Sequence, residues 1–196
     1  MGKIFCLMGK SASGKDTIYK RLIADEELGL REIVSYTTRP IRAKEVDGKE
    51  YHFTDEAGYE KLKADGKVVE SRVYYTVVGP WIYFTVDDGS IKDNENYLII
   101  GTLETFHGIK EYFGEDRVLP LYVELDDGER LQRAIRRERK QDKPNYREVC
   151  RRFLADDDDF SEDKLEKEGV KERFRNENDN IDICVSQIVD YIKDRV

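Results

Sequence analysis

Gly9-Lys10-Ser11-Ala12-Ser13-Gly14-Lys15-Asp16-Thr17 is the stretch on which the reading of this chain turns. It spells G-x-x-x-x-G-K, follows the apolar run at residues 3–8 and precedes residues 17–27, where Ile18, Leu22 and Ile23 recur at helical spacing. Strand, glycine loop and helix in that order make a cradle for phosphate. Glycines let backbone N–H groups come close to an anion, the helix start adds unpaired N–H groups and the positive end of its dipole, and Lys15 adds a point charge. Gly9, Ser11, Ala12, Ser13, Gly14, Lys15, Asp16 and Thr17 are therefore expected to hold the phosphates of ATP, with Lys15 acting on the transferred group. One position departs from the pattern. Such loops place Ser or Thr after the lysine to meet Mg²⁺, and here Asp16 stands there. Either Asp16 or the Thr17 hydroxyl is expected to face the Mg²⁺ that accompanies ATP.

Working outward, 196 residues suit a single hydrophobic core, and 39% apolar with 39% charged residues describe a globular chain with a heavily ionised surface. A net charge of −8 argues against nucleic acid and anionic membranes as partners, because both reward a positive field. The three cysteines, Cys6, Cys150 and Cys184, are far apart and odd in number, which suits neither a disulfide framework nor a zinc site. With no long apolar run and no charged-then-apolar leader, a soluble cytoplasmic protein is expected.

Residues 32–36 read as a second strand and residues 37–55 as polar chain leaving the core. An amphipathic helix at 56–65 and β-rich residues 68–86, folded around a Gly79-Pro80 turn, predict a small α+β insert. Residues 97–100 and 119–123 are unbroken apolar runs, as expected of strands buried on both faces of a parallel sheet, with a helix at 103–112 between them. A basic helix at 128–140, a loop at 141–146 and a helix at 147–154 predict a lid. Residues 156–180 read as a solvated, charged surface, with Asp156 to Asp159 pointing in four directions, and residues 181–192 as a closing amphipathic helix. The class is α/β: a P-loop NTPase-type parallel sheet flanked by helices, with a small α+β acceptor-binding insert and a helical lid. It is read as one domain over 1–196, with core 1–34, 87–136 and 147–196, insert 35–86 and lid 137–146.

The second motif is Ser35-Tyr36-Thr37-Thr38-Arg39-Pro40-Ile41-Arg42-Ala43-Lys44-Glu45-Val46-Asp47-Gly48-Lys49-Glu50-Tyr51-His52-Phe53. Arg39 and Arg42 are near enough on one loop to clamp a phosphate through forked, charge-assisted hydrogen bonds, and Ser35 and Tyr51 can add neutral donors. This stretch resembles the acceptor-binding signature of the guanylate kinase family, S-x-T-T-R-x-x-R-x-x-E-x-x-G-x-x-Y-x-F. The resemblance implies ATP-dependent phosphorylation of GMP or dGMP to GDP or dGDP. It also implies that Glu70 accepts hydrogen bonds from the guanine N1–H and 2-amino group, and that Tyr83 and Thr85 close over the acceptor, with Phe84 replacing the family's glycine. The chain between Glu70 and Tyr83 is several residues longer than in the family. The family's Asp-x-Asp after the insert is missing, since the strand reads Leu98-Ile99-Ile100-Gly101-Thr102-Leu103, and Glu104 lies beyond its end.

Arg133 and Arg137 share one helix face, and with Arg152 in Arg151-Arg152-Phe153 they resemble the family's lid arginines. Lys15, Arg42, Arg133, Arg137 and Arg152 are thus the expected catalytic set, neutralising charge on the equatorial oxygens of the transferred group. Two other readings stay open. The missing Asp-x-Asp favours a kinase of the same fold acting on another nucleoside monophosphate or a ribose phosphate. A non-catalytic guanylate kinase-like interaction module is opposed by the intact loop and the lid arginines. Small nucleotides are the expected partners, and the sequence does not disclose the oligomeric state.

Overall fold

Strand β1 (Ile4–Met8) is apolar at every position, and all five residues are completely buried. A strand without a polar face needs cover on both sides, which a parallel sheet between two helical layers provides. The computed structural model, which describes residues 1–76, 79–177 and 180–196, has this arrangement. Strands β2 (Leu30–Glu32), β7 (Asn96–Ile100), β8 (Val118–Glu124) and β9 (Phe174–Arg175) join β1 in the order β2-β7-β1-β8-β9, every pair parallel. Alternate residues of β1 feed two cores. Ile4, Cys6 and Met8 pack with Phe106 and Ile109 of α3 (Leu103–Phe113) and with Phe160, Leu165 and Val170. Phe5 and Leu7 pack with Ile18 and Leu22 of α1 (Lys15–Ala24) and with Cys184, Ile188 and Ile192 of α7 (Ile181–Lys193). Each such large side chain contributes about 1.5–3 kcal/mol by leaving water.

A second sheet carries the insert, in the order β4-β3-β6-β5, from β3 (Tyr36–Thr37), β4 (His52–Phe53), β5 (Val68–Thr76) and β6 (Gly79–Val86). Helix α2 (Glu56–Ala64) is capped by the Asp55 carboxylate, which accepts from the Gly58 N–H at 2.8 Å. Tyr59, Ile82, Phe84 and Val86 form the insert's own small core, with Phe84 fully buried. Helices α4 (Asp127–Glu138), α5 (Tyr146–Asp159) and α6 (Glu162–Lys167) follow β8. Among the described residues no helix is long and apolar enough to cross a membrane.

Four sequence expectations change. The strand expected at 32–36 is two strands in different sheets: β2 ends at Glu32, the Ile33 N–H still reaches the Leu98 carbonyl at 3.0 Å, and the chain then crosses to β3. Gly79 and Pro80 are not the hairpin turn but the first residues of β6, opposite Thr76 and Tyr75. Pro80 is tolerated because β3 pairs only with Tyr83 and Phe84, leaving that end of β6 with β5 alone as a neighbour. Residues 77–78, between the strands, lie outside the described residues.

Helix α5 continues through the aspartates, because two of them have cationic partners. Residues 156–177 are also not solvated throughout: Phe160, Leu165, Val170, Phe174 and Asn176 are buried between exposed neighbours. The two-residue strand β9 and short helix α6 are too brief, and too interrupted by charge, to show a period.

Truncating Phe84 to Ala should remove about 3–5 kcal/mol of stability, the usual cost for a buried phenylalanine. Urea denaturation of the variant beside the wild type measures it.

Candidate active site

The glycine loop leaves the carboxyl end of β1 and turns into α1. Gly14 sits at φ 95°, and a Cβ there would come 2.4 Å from Asn176 Nδ2. A Cβ at Gly9 would lie 2.6 Å from the Val123 carbonyl oxygen, so the loop is pressed against β8 as well. Ala12, at φ 66°, is the one non-glycine with positive φ among the described residues. The loop is tied to β9 by Asn176, which is 2% exposed and donates through Nδ2 to the Ser13 carbonyl at 2.8 Å. Gly14 caps α1 without a side-chain bond, so the first helical N–H groups keep their capacity for an anion. Burial pulls Lys15 below the ordinary lysine range; Asp16 and Asp156 oppose that, and the charges of Arg152 and Arg137 add to it. The two lid arginines therefore place positive charge near Lys15, while Arg133 is engaged by Glu129 at 3.0 Å.

The lid helix α5 is seated on this loop by a charge network that was not apparent in the sequence. The Asp156 carboxylate accepts from the Ser11 N–H at 2.7 Å, and Asp157 pairs with Lys10 at 2.7 Å. Arg130, 1% exposed, binds Asp127 at 2.7 Å, reaches Asp157 at 3.3 Å and Asp156 at 3.4 Å, and stacks over Phe153 with its guanidinium carbon 4.5 Å from the ring centre. Arg152 donates to the Ser11 hydroxyl at 3.0 Å. Two of the four consecutive aspartates thus face the phosphate loop. Their partner Arg130 is one arginine among four on its helix, so nothing in the sequence singled it out.

Across the cleft, the insert assembles a second cationic pocket. Arg39 is 3% exposed, is held by both oxygens of Glu45 at 2.9 and 3.0 Å, and lies over the Tyr51 and Phe53 rings at 5.6 and 5.5 Å. Arg39 holds the Glu45 carboxyl below its usual range, and Glu45 also accepts the Arg42 N–H at 2.9 Å. Glu45 was absent from the expected site; its place in the acceptor signature was the available signal. The Arg42 side chain is exposed, Ser35 is buried, and the Tyr51 and Tyr83 rings meet edge to face at 5.5 Å. Burial raises Tyr51, the charges of Tyr83 and Asp16 add to that, and those of Arg72 and Arg39 oppose it.

Deeper in the insert, Glu70 and Thr85 are cross-strand partners, and the Thr85 hydroxyl donates to Glu70 Oε1 at 2.7 Å. Burial pushes the Glu70 carboxyl up, against the pull of Arg72 and Thr85. Arg72 was also passed over in the sequence, and it lies 3.2 Å from Glu70. The extra length between Glu70 and Tyr83 is taken up in the hairpin arms of β5 and β6.

Asp16 and Thr17 are exposed on the first turn of α1. Among the described residues no group of three or more His, Cys, Asp or Glu side chains is placed to hold a metal ion. The Asp16 carboxylate and Thr17 hydroxyl are oxygen ligands open to solvent, a set that fits Mg²⁺ held in part by water and nucleotide phosphates.

The guanylate kinase family model matches residues 1–77. A guanylate kinase of Paraburkholderia xenovorans is 30% identical over 158 residues, covering 79% of this chain and 65% of that protein's length. One of Porphyromonas gingivalis is 28% identical over 194 residues, covering 96% and 95%. In fold, the chain is similar to the crystal structure of guanylate kinase from Anaplasma phagocytophilum, with TM-score 0.63 and 19% identity, covering 98% of this chain and 85% of that one.

Replacing Arg130 by Ala leaves Asp156 and Asp157 short of their buried partner. The expected loss is about 1.5–3 kcal/mol, the range for hydrogen bonds to charged groups, because the carboxylates left behind keep Ser11 and Lys10 or reach water. Thermal and urea unfolding of Arg130→Ala measure it.

Proposed function

We propose that the chain is a member of the guanylate kinase family and transfers the terminal phosphoryl group of ATP directly to GMP or dGMP, giving GDP or dGDP. The observation that carries this reading is a glycine loop with Arg152 of the lid on its Ser11 hydroxyl at 3.0 Å, together with the Arg39–Tyr51–Tyr83 pocket in the insert. Phosphoryl transfer asks for positioning and charge neutralisation more than for a general base.

In this reading Gly9 and Ser11 to Thr17 wrap the ATP phosphates, and Lys15 bridges towards the transferred group. Arg39 and Arg42, with Ser35, Tyr51 and Tyr83, hold the acceptor phosphate in line. Glu70 and Thr85 take the guanine base. Arg137 and Arg152, with Arg133, are brought by the lid and neutralise the charge that spreads over the equatorial oxygens while water is excluded. Mg²⁺, when bound with ATP, would neutralise β- and γ-phosphate oxygens, and Asp16 or Thr17 would hold it or its waters. Unpaired cysteines and the net charge of −8 favour a cytoplasmic protein acting on small nucleotides. The alternative, another nucleoside monophosphate or a ribose phosphate as acceptor, draws on one observation: β7 ends at Ile100 and Gly101-Thr102 follows, with no carboxylate at the strand's end.

ADP release from ATP, measured with each nucleoside monophosphate in turn, should be greatest with GMP. In Arg42→Ala, kcat/KM should fall about 10–100-fold, the worth of a charge-assisted hydrogen bond. ATP binding without turnover on any nucleotide acceptor would refute the reading.

The pH dependence has a definite sign. Glu70 is raised in the free protein, and a base that donates to it requires the carboxylate, so KM for GMP should fall as pH rises through the raised Glu70 value. Glu70→Gln should flatten that step.

For the metal, Asp16→Ser should shift the Mg²⁺ concentration needed for half-maximal turnover. An unchanged titration would remove Asp16 from the metal's surroundings.

A further inference from the structure

Ser11 of the phosphate loop is gripped twice by one face of α5. The Asp156 carboxylate accepts its N–H at 2.7 Å, and Arg152, one turn earlier on the same helix, donates to its hydroxyl at 3.0 Å. A single carboxylate oxygen of Asp156, Oδ2, takes both the Ser11 N–H and, at 3.4 Å, the Arg130 guanidinium. The two residues of α5 differ in freedom. Asp156 has 17% of its side chain exposed and lies against Arg130, which is 1% exposed. Arg152 is exposed, and among the described residues its one hydrogen bond is to Ser11.

Helix stability does not account for a carboxylate at this place. The last turn of α5 is acidic and carries no basic residue, so its carboxylates face the negative end of the helix dipole. That turn is seated by its partners instead. Asp157 goes to side chains, those of Lys10 and Arg130, whereas Asp156 reaches the backbone of the phosphate loop itself. A backbone N–H is a fixed point, and a short side chain bound to it fixes the helix that carries it.

We propose that Asp156 is a positioning residue for phosphoryl transfer. By binding the Ser11 N–H it sets the distance between α5 and the phosphate loop, and so holds Arg152 where it can exchange the Ser11 hydroxyl for an oxygen of the transferred group. This rests on the proposed function, in which Arg152 neutralises that group. The exchange is favourable, because a guanidinium binds a charged phosphoryl oxygen more strongly than a neutral hydroxyl. Arg152 is left free to move at its tip, while the backbone beneath it is not. What Asp156 supplies is reach, and its charge is incidental to that.

The test sets length against charge at position 156. Asparagine keeps an acceptor oxygen at the same reach and removes the charge; glutamate keeps the charge and adds a methylene that pushes α5 away from Ser11. The kcat and KM for ATP and GMP are measured for Asp156→Asn, Asp156→Glu, Arg152→Ala and the double variant Asp156→Glu with Arg152→Ala, with thermal unfolding of each. Arg152→Ala should itself lower kcat. Asp156→Asn should keep kcat within about threefold, whereas Asp156→Glu should lower kcat and kcat/KM together by about 10–100-fold, the cost of misplacing a group by about an ångström. In the Arg152→Ala background, Asp156→Glu should cost kcat nothing further, because no arginine at 152 remains to be misplaced.

An Asp156→Glu enzyme as fast as the wild type would overturn the proposal. So would a folded Asp156→Asn that loses as much as Asp156→Glu, and this arm decides the matter even where the glutamate variant does not fold. The same factor of loss from Asp156→Glu with and without Arg152 would make Asp156 independent of Arg152 and overturn it too. Full activity of Arg152→Ala would remove the role of Arg152, and this assignment with it, while leaving transfer to GMP standing. No turnover of any nucleotide by the wild type would overturn the kinase reading itself.

Discussion

The structure depends on the complete burial of β1. With every side chain of Ile4–Met8 removed from water, the strand is committed to the centre of a parallel sheet between two helical layers. Parallel strands all end on the same side, and there their loops must turn. The carboxyl ends of β1, β7, β8 and β9 accordingly deliver the glycine loop, Thr102, the Asp126–Arg130 turn and Asn176 to one edge. Each of these contacts the loop or the adjoining acceptor pocket. The site is thus a consequence of strand direction, and the glycines are needed because Val123 and Asn176 press so closely on the loop.

A chain of net charge −8 has concentrated positive charge along that edge. Its own carboxylates hold the cations: Glu45 on Arg39, Asp157 on Lys10, Asp156 and Asp127 on Arg130, and Glu70 beside Arg72. Buried ion pairs add little net stability, because desolvation offsets most of their attraction. Their consequence here is geometric. Arg39 is held in place by a two-point grip, and α5 is seated on the phosphate loop through Asp156. The lid helix is thereby tied to the loop at Ser11 through both Asp156 and Arg152.

Much of this was legible in the sequence. G-x-x-x-x-G-K between an apolar run and a helical period specifies a phosphate loop, because only that order places glycine flexibility beside a helix N-terminus. The unbroken apolar runs at β1, β7 and β8 specify strands covered on both faces. The arginine-rich stretch at residues 35–53 pointed to an anion pocket through its match to a family signature downstream of a phosphate loop, since two nearby arginines alone would read as surface charge. These are local properties of residue type and period, and they required no knowledge of distant contacts.

What only the tertiary structure decided are relations between residues far apart in the chain. Asp156 and Asp157 look like solvated surface until Arg130 and Lys10 are brought against them. Phe174-Arg175 carries no period, and becomes a strand only because β8 offers it a free edge. Arg72 looks like an ordinary exposed strand cation until α3 closes over it and leaves it buried beside Glu70. The reason is the same in each case. A sequence shows which groups are polar, but burial and partnership are set by what the rest of the chain packs against them, and a polar group's energy depends on its partner.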